Sequence, residues 1–168
     1  MVFRDLREFV RKLERTGDVV HIKKEVDWDQ EVGAISRRVC EMSGPALLFE
    51  KIKDYPGYRM AGGLLANFRR IAIAMGMDPD TPAREIIREY SNRAKNVIKP
   101  VMVKKAPCQQ NVVSGKDVDL TKLPFIMAHD GDGGRYITWH FVVQKDPETG
   151  FVNWGMYRSM LHNERLLG

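Results

Sequence analysis

The hydrophobic pattern of this chain changes near Pro100, and the change limits the folds open to it. Before Pro100, apolar residues recur at helical spacing in several segments that alternate with short apolar runs. After it, β-branched and turn residues take over, and no helical period survives between Val101 and Arg158. The pattern predicts an α/β (α+β) chain. We place the boundary near residues 114–124, with an N-terminal α/β layer domain over 1–115 and a β-rich part over 116–168.

The N-terminal segment is predicted to contain four helices and three strands, in the order helix, strand, helix, strand, strand, helix, helix. Each helix begins at residues suited to capping: Asp5, Asp27 with Gln30 in a capping box, Asn67, and Thr81 at the cap followed by Pro82 at the first helical position. Gly17 is expected to end the first helix, and the fourth is expected to run to about Asn96. Strands are predicted over residues 19–26, 46–50 and 58–65.

The C-terminal segment is predicted to contain short strands joined by tight turns. Residues 101–103 and 108–113 are expected to be strands, and a Gly/Asp loop over 130–135 leads into another strand over 136–144. Residues 138–144 and 151–157 are expected to pair as a β-hairpin closed by Asp146-Pro147-Glu148-Thr149-Gly150. This hairpin carries the polar residues of greatest interest.

Strand alternation places Asn153 and Arg158 on opposite faces, which does not suit a shared ligand. A β-bulge at Gly155, or the end of the strand there, would bring the two side chains together. The alternative reading, an edge strand with a surface arginine, stays open on periodicity alone.

Composition narrows the functional classes. No run of about 18 apolar residues is present to span a bilayer, and charged residues stand where a signal peptide needs apolar ones; we expect a soluble, cytoplasmic protein. The formal net charge is +5, but the 27 Lys and Arg residues are interleaved with 22 Asp and Glu residues. That interleaving is typical of a solvated surface and argues against nucleic-acid binding. A phosphate-bearing small ligand explains the net positive charge as well as nucleic acid does. Cys40 and Cys108 share no motif and are expected to be free thiols.

One metal candidate is the group formed by His129, Asp130 and Asp132. Histidine and carboxylates close in sequence are legitimate ligands. Aspartates in glycine-rich loops more often form Asx turns, and that is the interpretation we favour here.

Several separated motifs resemble one known family. They are Phe3-Arg4-Asp5-Leu6-Arg7, Gly17-Asp18-Val19, Glu25-Val26-Asp27, Leu123-Pro124, the run from Asp132 to Thr138, Lys145 to Gly150, and Asn153-Trp154-Gly155-Met156-Tyr157-Arg158. In this order they resemble the UbiD family of decarboxylases, which depend on prenylated FMN. The resemblance spans the whole chain.

The resemblance implies a reversible, non-oxidative carboxy-lyase reaction on an aromatic or α,β-unsaturated acid. It implies a split β-barrel that binds prenylated FMN, here represented by its first strands, together with a divalent metal (manganese or magnesium) and potassium. It maps Asn153 to a metal ligand, Trp154, Gly155, Met156, Tyr157 and Arg158 to the flavin site, and Arg158 to the catalytic network. It further implies a cofactor supplied by a flavin prenyltransferase and a homo-oligomer when full length.

Several functional residues of the family pattern are absent from this sequence. The family's other metal ligands, a His and a Glu, and both catalytic glutamates lie downstream of the Asn-x-Gly-x-Tyr-Arg motif. Trp139 and His140 are also bulkier than the small residues often seen at that place. We therefore expect an inactive N-terminal portion of a longer enzyme, or alternatively a short non-catalytic flavin-binding or assembly subunit that a second polypeptide completes. The acid, the reaction direction and the oligomeric state are not encoded in these motifs.

Overall fold

The computed structural model describes residues 3–168; Met1 and Val2, at the start of the predicted first domain, lie outside the described residues. Four helices are formed, α1 (Leu6–Thr16), α2 (Glu31–Glu41), α3 (Phe68–Ala74) and α4 (Ala83–Ala94). The strands are β1 (Val19–Ile22), β2 (Ala46–Phe49), β3 (Met60–Gly62), β4 (Arg135–Ile137), β5 (Val142–Lys145), β6 (Val152–Gly155), β7 (Ser159–Asn163) and β8 (Leu166–Leu167). The predicted α/β (α+β) class is confirmed.

The first sheet has the strand order β1-β2-β3 and carries the core of the N-terminal part. β1 and β2 run parallel, with α2 as the crossover, and β3 returns antiparallel to β2. All four residues of β2 are buried because this central strand is covered on both faces. One apolar cluster forms around Phe49, on the side of α2, and a second around Leu13, on the side of α1 and α3.

Three of the predicted helix-terminal residues are confirmed. The Asp5 side chain accepts a hydrogen bond from the Glu8 amide at 2.7 Å, and the Asn67 side chain accepts one from the Arg70 amide at 2.9 Å. Gly17 ends α1 in the left-handed conformation, with φ of 74°.

Two predicted caps were wrong. α2 is capped by Gln30 at φ of 64°, because the Val26 backbone bonds to Lys51 and Lys53 and the backbone of residues 28–30 bonds to Met127 before the helix starts. α4 has Pro82 at its cap rather than Thr81, whose hydroxyl donates instead to the Asp78 carbonyl at 2.6 Å. β1, β2 and β3 are shorter than the predicted strands, and α4 ends at Ala94, two residues before the predicted end.

The predicted strands over 101–103 and 108–113 were also wrong. Their apolar side chains project outward, Met102 with 94% of its surface exposed, and a short 3₁₀ turn occupies Pro107–Gln109. A strand needs a neighbour for its backbone groups, and no strand among residues 3–168 pairs with these segments. The strand predicted over 136–144 is divided: β4 pairs with β7, and β5 pairs with β6.

The connector before β4 ties the β-rich part to the N-terminal sheet. The Gln30 amide donates to the Met127 carbonyl at 2.7 Å, and the Met127 amide donates to the Trp28 carbonyl at 3.1 Å. A methyl group on Gly33 would lie 2.0 Å from the Ala128 carbonyl oxygen, so the absence of a side chain lets α2 approach the connector. The domain boundary at residues 115/116 stays a prediction. In residues 3–168 no helix is both long and apolar enough to cross a bilayer.

Candidate functional site

The predicted hairpin is formed, and its turn holds the register of the strand that bears the motif. The Asp146 carboxylate accepts the amides of Glu148 and Thr149, both at 2.8 Å, and Gly150 takes φ of 73°. The hydrogen bond from the Thr149 amide, followed by that from Glu148, lowers the pKa of Asp146. Residues 142–145 then pair regularly with residues 152–155.

This register sets the surroundings of Asn153 and Trp154. Asn153 lies opposite Gln144 and is half-buried. Trp154 lies opposite Val143, and its indole tilts against the Phe141 ring with 6.1 Å between centroids. The indole is still 66% exposed. One face of the hairpin therefore presents a broad aromatic surface.

Gly155 is the last residue of β6, and Tyr157 folds back over it. A Cβ at Gly155 would lie 2.0 Å from the Tyr157 ring, so only glycine admits this arrangement. The β5–β6 register runs without a shift up to Gly155, which means that the predicted bulge there was wrong. The strand simply ends, which was the other possibility.

Arg158 is held against the ring of Tyr136. Its guanidinium carbon lies 5.1 Å from the ring centroid, a cation–π contact. Tyr136 pairs with Met160 across β4 and β7, so Arg158, two residues before Met160, is its diagonal neighbour. Sequence reasoning missed Tyr136 because β4 and β7 are separated by the whole β5–β6 hairpin.

The motif residues thus fall into two groups. Trp154 stands with Phe141 on the hairpin, whereas Gly155, Tyr157 and Arg158 occupy the stretch that leaves it toward β7. Among residues 3–168 neither the Asn153 amide nor the Arg158 guanidinium has a hydrogen-bonding or ion-pair partner within the protein. Both polar groups are therefore available to a ligand.

Two further polar features border this stretch. His140 Nε2 lies 3.4 Å from the Ser159 hydroxyl, and its buried Nδ1 finds no partner among the described residues. Asp132 accepts the His129 amide at 3.0 Å and its own amide donates to the His129 carbonyl at 3.2 Å, which closes a turn that is not an Asx turn, so the Asx-turn interpretation stays a prediction. Within residues 3–168 no group of three or more His, Cys, Asp or Glu side chains is arranged to hold a metal ion.

Solved structures with this arrangement include a vanillic acid decarboxylase and a UbiD-class enzyme. The vanillic acid decarboxylase of Sedimentibacter hydroxybenzoicus in its closed form matches with a TM-score of 0.93 and 32% identity, over 100% of this chain and 37% of that chain. The UbiD-class enzyme HmfF from Pelotomaculum thermopropionicum, in complex with FMN, matches with a TM-score of 0.86 and 28% identity, over 97% of this chain and 36% of that one.

Two family models match consecutive parts of the chain. Residues 10–90 match the 3-octaprenyl-4-hydroxybenzoate carboxy-lyase N-terminal domain, and residues 99–168 match the Rift-related domain of the same family. The chain belongs to the UbiD family, as the motifs indicated. The candidate site lies within the second matched range.

Curated relatives agree with this assignment. The pyrrole-2-carboxylic acid decarboxylase of Pseudomonas aeruginosa is 38% identical over 174 residues, which covers 97% of this chain and 35% of that protein. Ferulic acid decarboxylase 1 of Candida dubliniensis is 36% identical over 177 residues, covering 95% of this chain and 34% of that protein. The chain spans about a third of the length of the curated relatives it matches.

Proposed function

We propose that this chain forms the N-terminal domain and the first flavin-binding strands of a UbiD-type carboxy-lyase. The proposed reaction is the reversible, non-oxidative decarboxylation of an aromatic or α,β-unsaturated acid with prenylated FMN. The observation that carries the proposal is the stretch after β6, where Tyr157 covers Gly155 and Arg158 is held on Tyr136 with its hydrogen-bonding groups free.

The residues present fit a flavin. Trp154, Met156 and Tyr157 each keep half or more of their surface exposed, which is unusual for three large side chains so close together. Flat apolar surfaces of this kind suit the faces and edges of an isoalloxazine ring. Gly155, with no side chain, leaves room for the Tyr157 ring to fold over the end of the strand.

The metal assignment rests on one ligand in this chain. A hard divalent cation such as Mn²⁺ or Mg²⁺ prefers oxygen ligands, and the half-buried Asn153 amide supplies a neutral one. Carboxylate and imidazole ligands, and the potassium ion expected beside the cofactor phosphate, would draw on groups beyond the site described above. Asn153 would hold the metal as one member of that set.

Arg158 is proposed to bind the carboxylate of the acid. A guanidinium stays charged at any physiological pH and can grip a carboxylate through two parallel hydrogen bonds. Its contact with the Tyr136 ring, 5.1 Å from guanidinium carbon to centroid, uses no N–H···O hydrogen bond and so leaves these donors for the acid. Bound prenylated FMN would supply the electron sink for carbon–carbon bond cleavage, while these side chains orient the acid and exclude water.

Flavin binding is the direct test. The 168-residue chain is titrated with prenylated FMN and with FMN, and binding is followed by flavin fluorescence. Saturable binding is expected, and Gly155→Val should weaken it at least about tenfold because the added side chain displaces Tyr157. The matched control Gly133→Ala adds a methyl where the nearest atom is 3.5 Å away and should bind flavin normally.

Catalysis is tested in a chimera in which these residues replace the matching third of the Pseudomonas aeruginosa relative. Release of carbon dioxide is expected, and Arg158→Ala should lower kcat/KM at least about 100-fold, while the exposed Arg88→Ala does not. A chimera that binds flavin and turns over equally well with Arg158→Ala would refute the assignment. Flavin binding without turnover in any chimera would instead support the alternative, a non-catalytic flavin-binding or assembly subunit.

A further inference from the structure

The loop that follows α4, residues 97–113, pairs with none of the strands. Residues 97–105 and 111–113 form no backbone–backbone hydrogen bond among residues 3–168, and a short 3₁₀ turn at Pro107–Gln109 lies between them. Loops of more than about 12–15 residues without strands of their own are uncommon in compact domains, and many of them are binding segments. The backbone groups of the 97–113 loop are open to a neighbour.

Both ends of the 97–113 loop are fixed to the rest of the protein. Before it, Arg93 of α4 donates to the Met75 carbonyl at 2.7 Å. After it, Arg165 donates to the Lys116 carbonyl at 3.1 Å. Because hydrogen bonds hold the chain on either side, the loop is presented at a defined place on the surface.

The apolar side chains of the 97–113 loop lie in solvent. Val97, Ile98, Val101 and Met102 each keep 85% or more of their surface exposed. β-branched residues are enriched in strands, and a run of large exposed apolar residues marks an interaction surface. The loop therefore has the composition and the open backbone of a strand that lacks its neighbour.

The 97–113 loop also lies in the most basic part of the chain. Residues 90–116 contain six of the 27 Lys and Arg residues and none of the 22 Asp and Glu residues, so the other residues together are close to neutral. Pairing the loops of two copies would bring these like charges together, and lysines on a strand edge oppose self-association. The charge therefore disfavours a second copy as the neighbour and favours an edge that carries acidic side chains.

The 97–113 loop belongs with the β-rich part of the family's fold. The range matched to the Rift-related domain begins at residue 99, yet the loop is not hydrogen-bonded to any of the strands β4–β8. The Sedimentibacter enzyme is matched over 37% of its length by 100% of this chain, so most of that fold has no counterpart among these 168 residues. A strand edge for the loop can lie in that larger part.

We propose that residues 101–105 add as a β-strand to a sheet edge in the part of the UbiD fold that these 168 residues do not contain. The backbone groups supply the hydrogen bonds, and Val101 and Val103, which share one side of an extended strand, pack on an apolar surface. Acidic side chains on that edge complement Lys104 and Lys105. The inference rests on the proposed function in taking this chain as the first third of a UbiD-type enzyme.

Amide hydrogen exchange, read by mass spectrometry, tests the strand without flavin. The 168-residue chain is compared with the chimera that carries these residues in place of the matching third of the Pseudomonas aeruginosa relative. Amides of residues 101–105 should exchange as in an unstructured peptide in the isolated chain and at least about 100-fold more slowly in the chimera. Amides of α4 should be protected in both proteins, which shows that each is folded.

A second graft keeps the test open if the chimera does not fold. Residues 97–113 alone replace the matching segment of the Pseudomonas aeruginosa relative, and residues 101–105 should again be protected. In either protein, Val103→Asp should reduce that protection at least about tenfold, because it sets a charge against an apolar surface. Val97→Asp, a matched change outside the proposed strand, should leave protection unchanged.

Three results would overturn the inference. One is rapid exchange of residues 101–105 in both grafted proteins while their other strands stay protected. Another is protection that Val103→Asp does not alter. The third is protection in the isolated chain that grows with protein concentration, since a second copy would then be the neighbour. Because no flavin is present, failure of flavin binding or of turnover leaves this test unaffected and bears only on the proposed function.

Discussion

The guanidinium of Arg135 stacks on the indole of Trp28, with its central carbon 3.9 Å from the ring centroid. The same side chain donates through Nε to the Phe125 carbonyl at 2.8 Å and through a second nitrogen to the Tyr55 hydroxyl. Arg135 begins β4, while Trp28 and Tyr55 belong to the N-terminal part. One arginine thus joins the β-rich part to the N-terminal sheet.

Replacing Arg135 by alanine should lower the free energy of unfolding by about 2–3 kcal/mol, because the stack and the bond to a partly buried carbonyl are both lost. Arg135→Lys should retain less than half of this stabilisation, because an ammonium group cannot stack on a ring and donate hydrogen bonds in one plane as a guanidinium does. Urea denaturation followed by circular dichroism measures the change. The exposed Arg88→Ala serves as control, and a loss at Arg135 no larger than at Arg88 would contradict the role assigned to the stack.

Gly33→Ala should destabilise the chain even though alanine is the better helix former. The intrinsic gain in a helix is about 1 kcal/mol, but the methyl would meet the Ala128 carbonyl at 2.0 Å and push the connector from α2. Overpacking of this kind costs about 1–3 kcal/mol. Denaturation midpoints of Gly33→Ala and Gly133→Ala provide the comparison; a stabilised Gly33→Ala protein would mean that the connector does not lie against α2.

Asp146→Asn should weaken the hairpin turn in a pH-dependent manner. The pKa of Asp146 is lowered from its usual 3.8, chiefly by the Thr149 amide, so the carboxylate stabilises the fold at pH values above 3.8 and this contribution is lost as the pH falls through the lowered folded value. Asparagine keeps an acceptor oxygen but not the charge. The difference in unfolding free energy between the two proteins should therefore be larger at pH 7 than at pH 3. Glu148→Gln, which removes one charge from the same turn and leaves the Asp146 hydrogen bonds in place, serves as the matched control.

Tyr136→Leu should release the Arg158 side chain, whereas Tyr136→Phe should not, because the ring face and not the hydroxyl makes the contact. The Arg158 Hε resonance, assigned with Arg158→Lys, reports the ring current of Tyr136. It is expected to move to its random-coil position in the leucine variant and to stay near its original position in the phenylalanine variant. Identical spectra for all three proteins would show that the stack is not populated.

Local chemistry made several features predictable. Asp5 and Asn67 cap helices because their side chains reach the amide three residues ahead, an interaction that depends on no distant part of the chain. The Asp146 turn and its closing Gly150 follow from the same short-range bonding. The family motif, Asn153 to Arg158, could be recognised from the types and order of its residues.

Long-range pairing was not predictable in this way. Residues 101–103 and 108–113 have the composition of strands, but a strand exists only where a neighbour bonds it, and residues 3–168 supply none for them. The predicted Asp27 cap failed for a related reason, since distant contacts of residues 26–29 delay the start of α2. Propensity acts over a few residues, whereas these outcomes depend on segments that are tens of residues apart.

The sequence by itself determined the α/β class, the helix caps set by nearest neighbours, the hairpin turn and membership in the UbiD family. Only the tertiary structure decided that Tyr136 holds Arg158, that Tyr157 closes over Gly155, and that Arg135 joins the β-rich part to Trp28 and Tyr55. The physical reason is the sequence distance over which each interaction forms. A cap or a turn is completed within four residues, but a cation–π contact across β4 and β7 exists only after distant elements have packed.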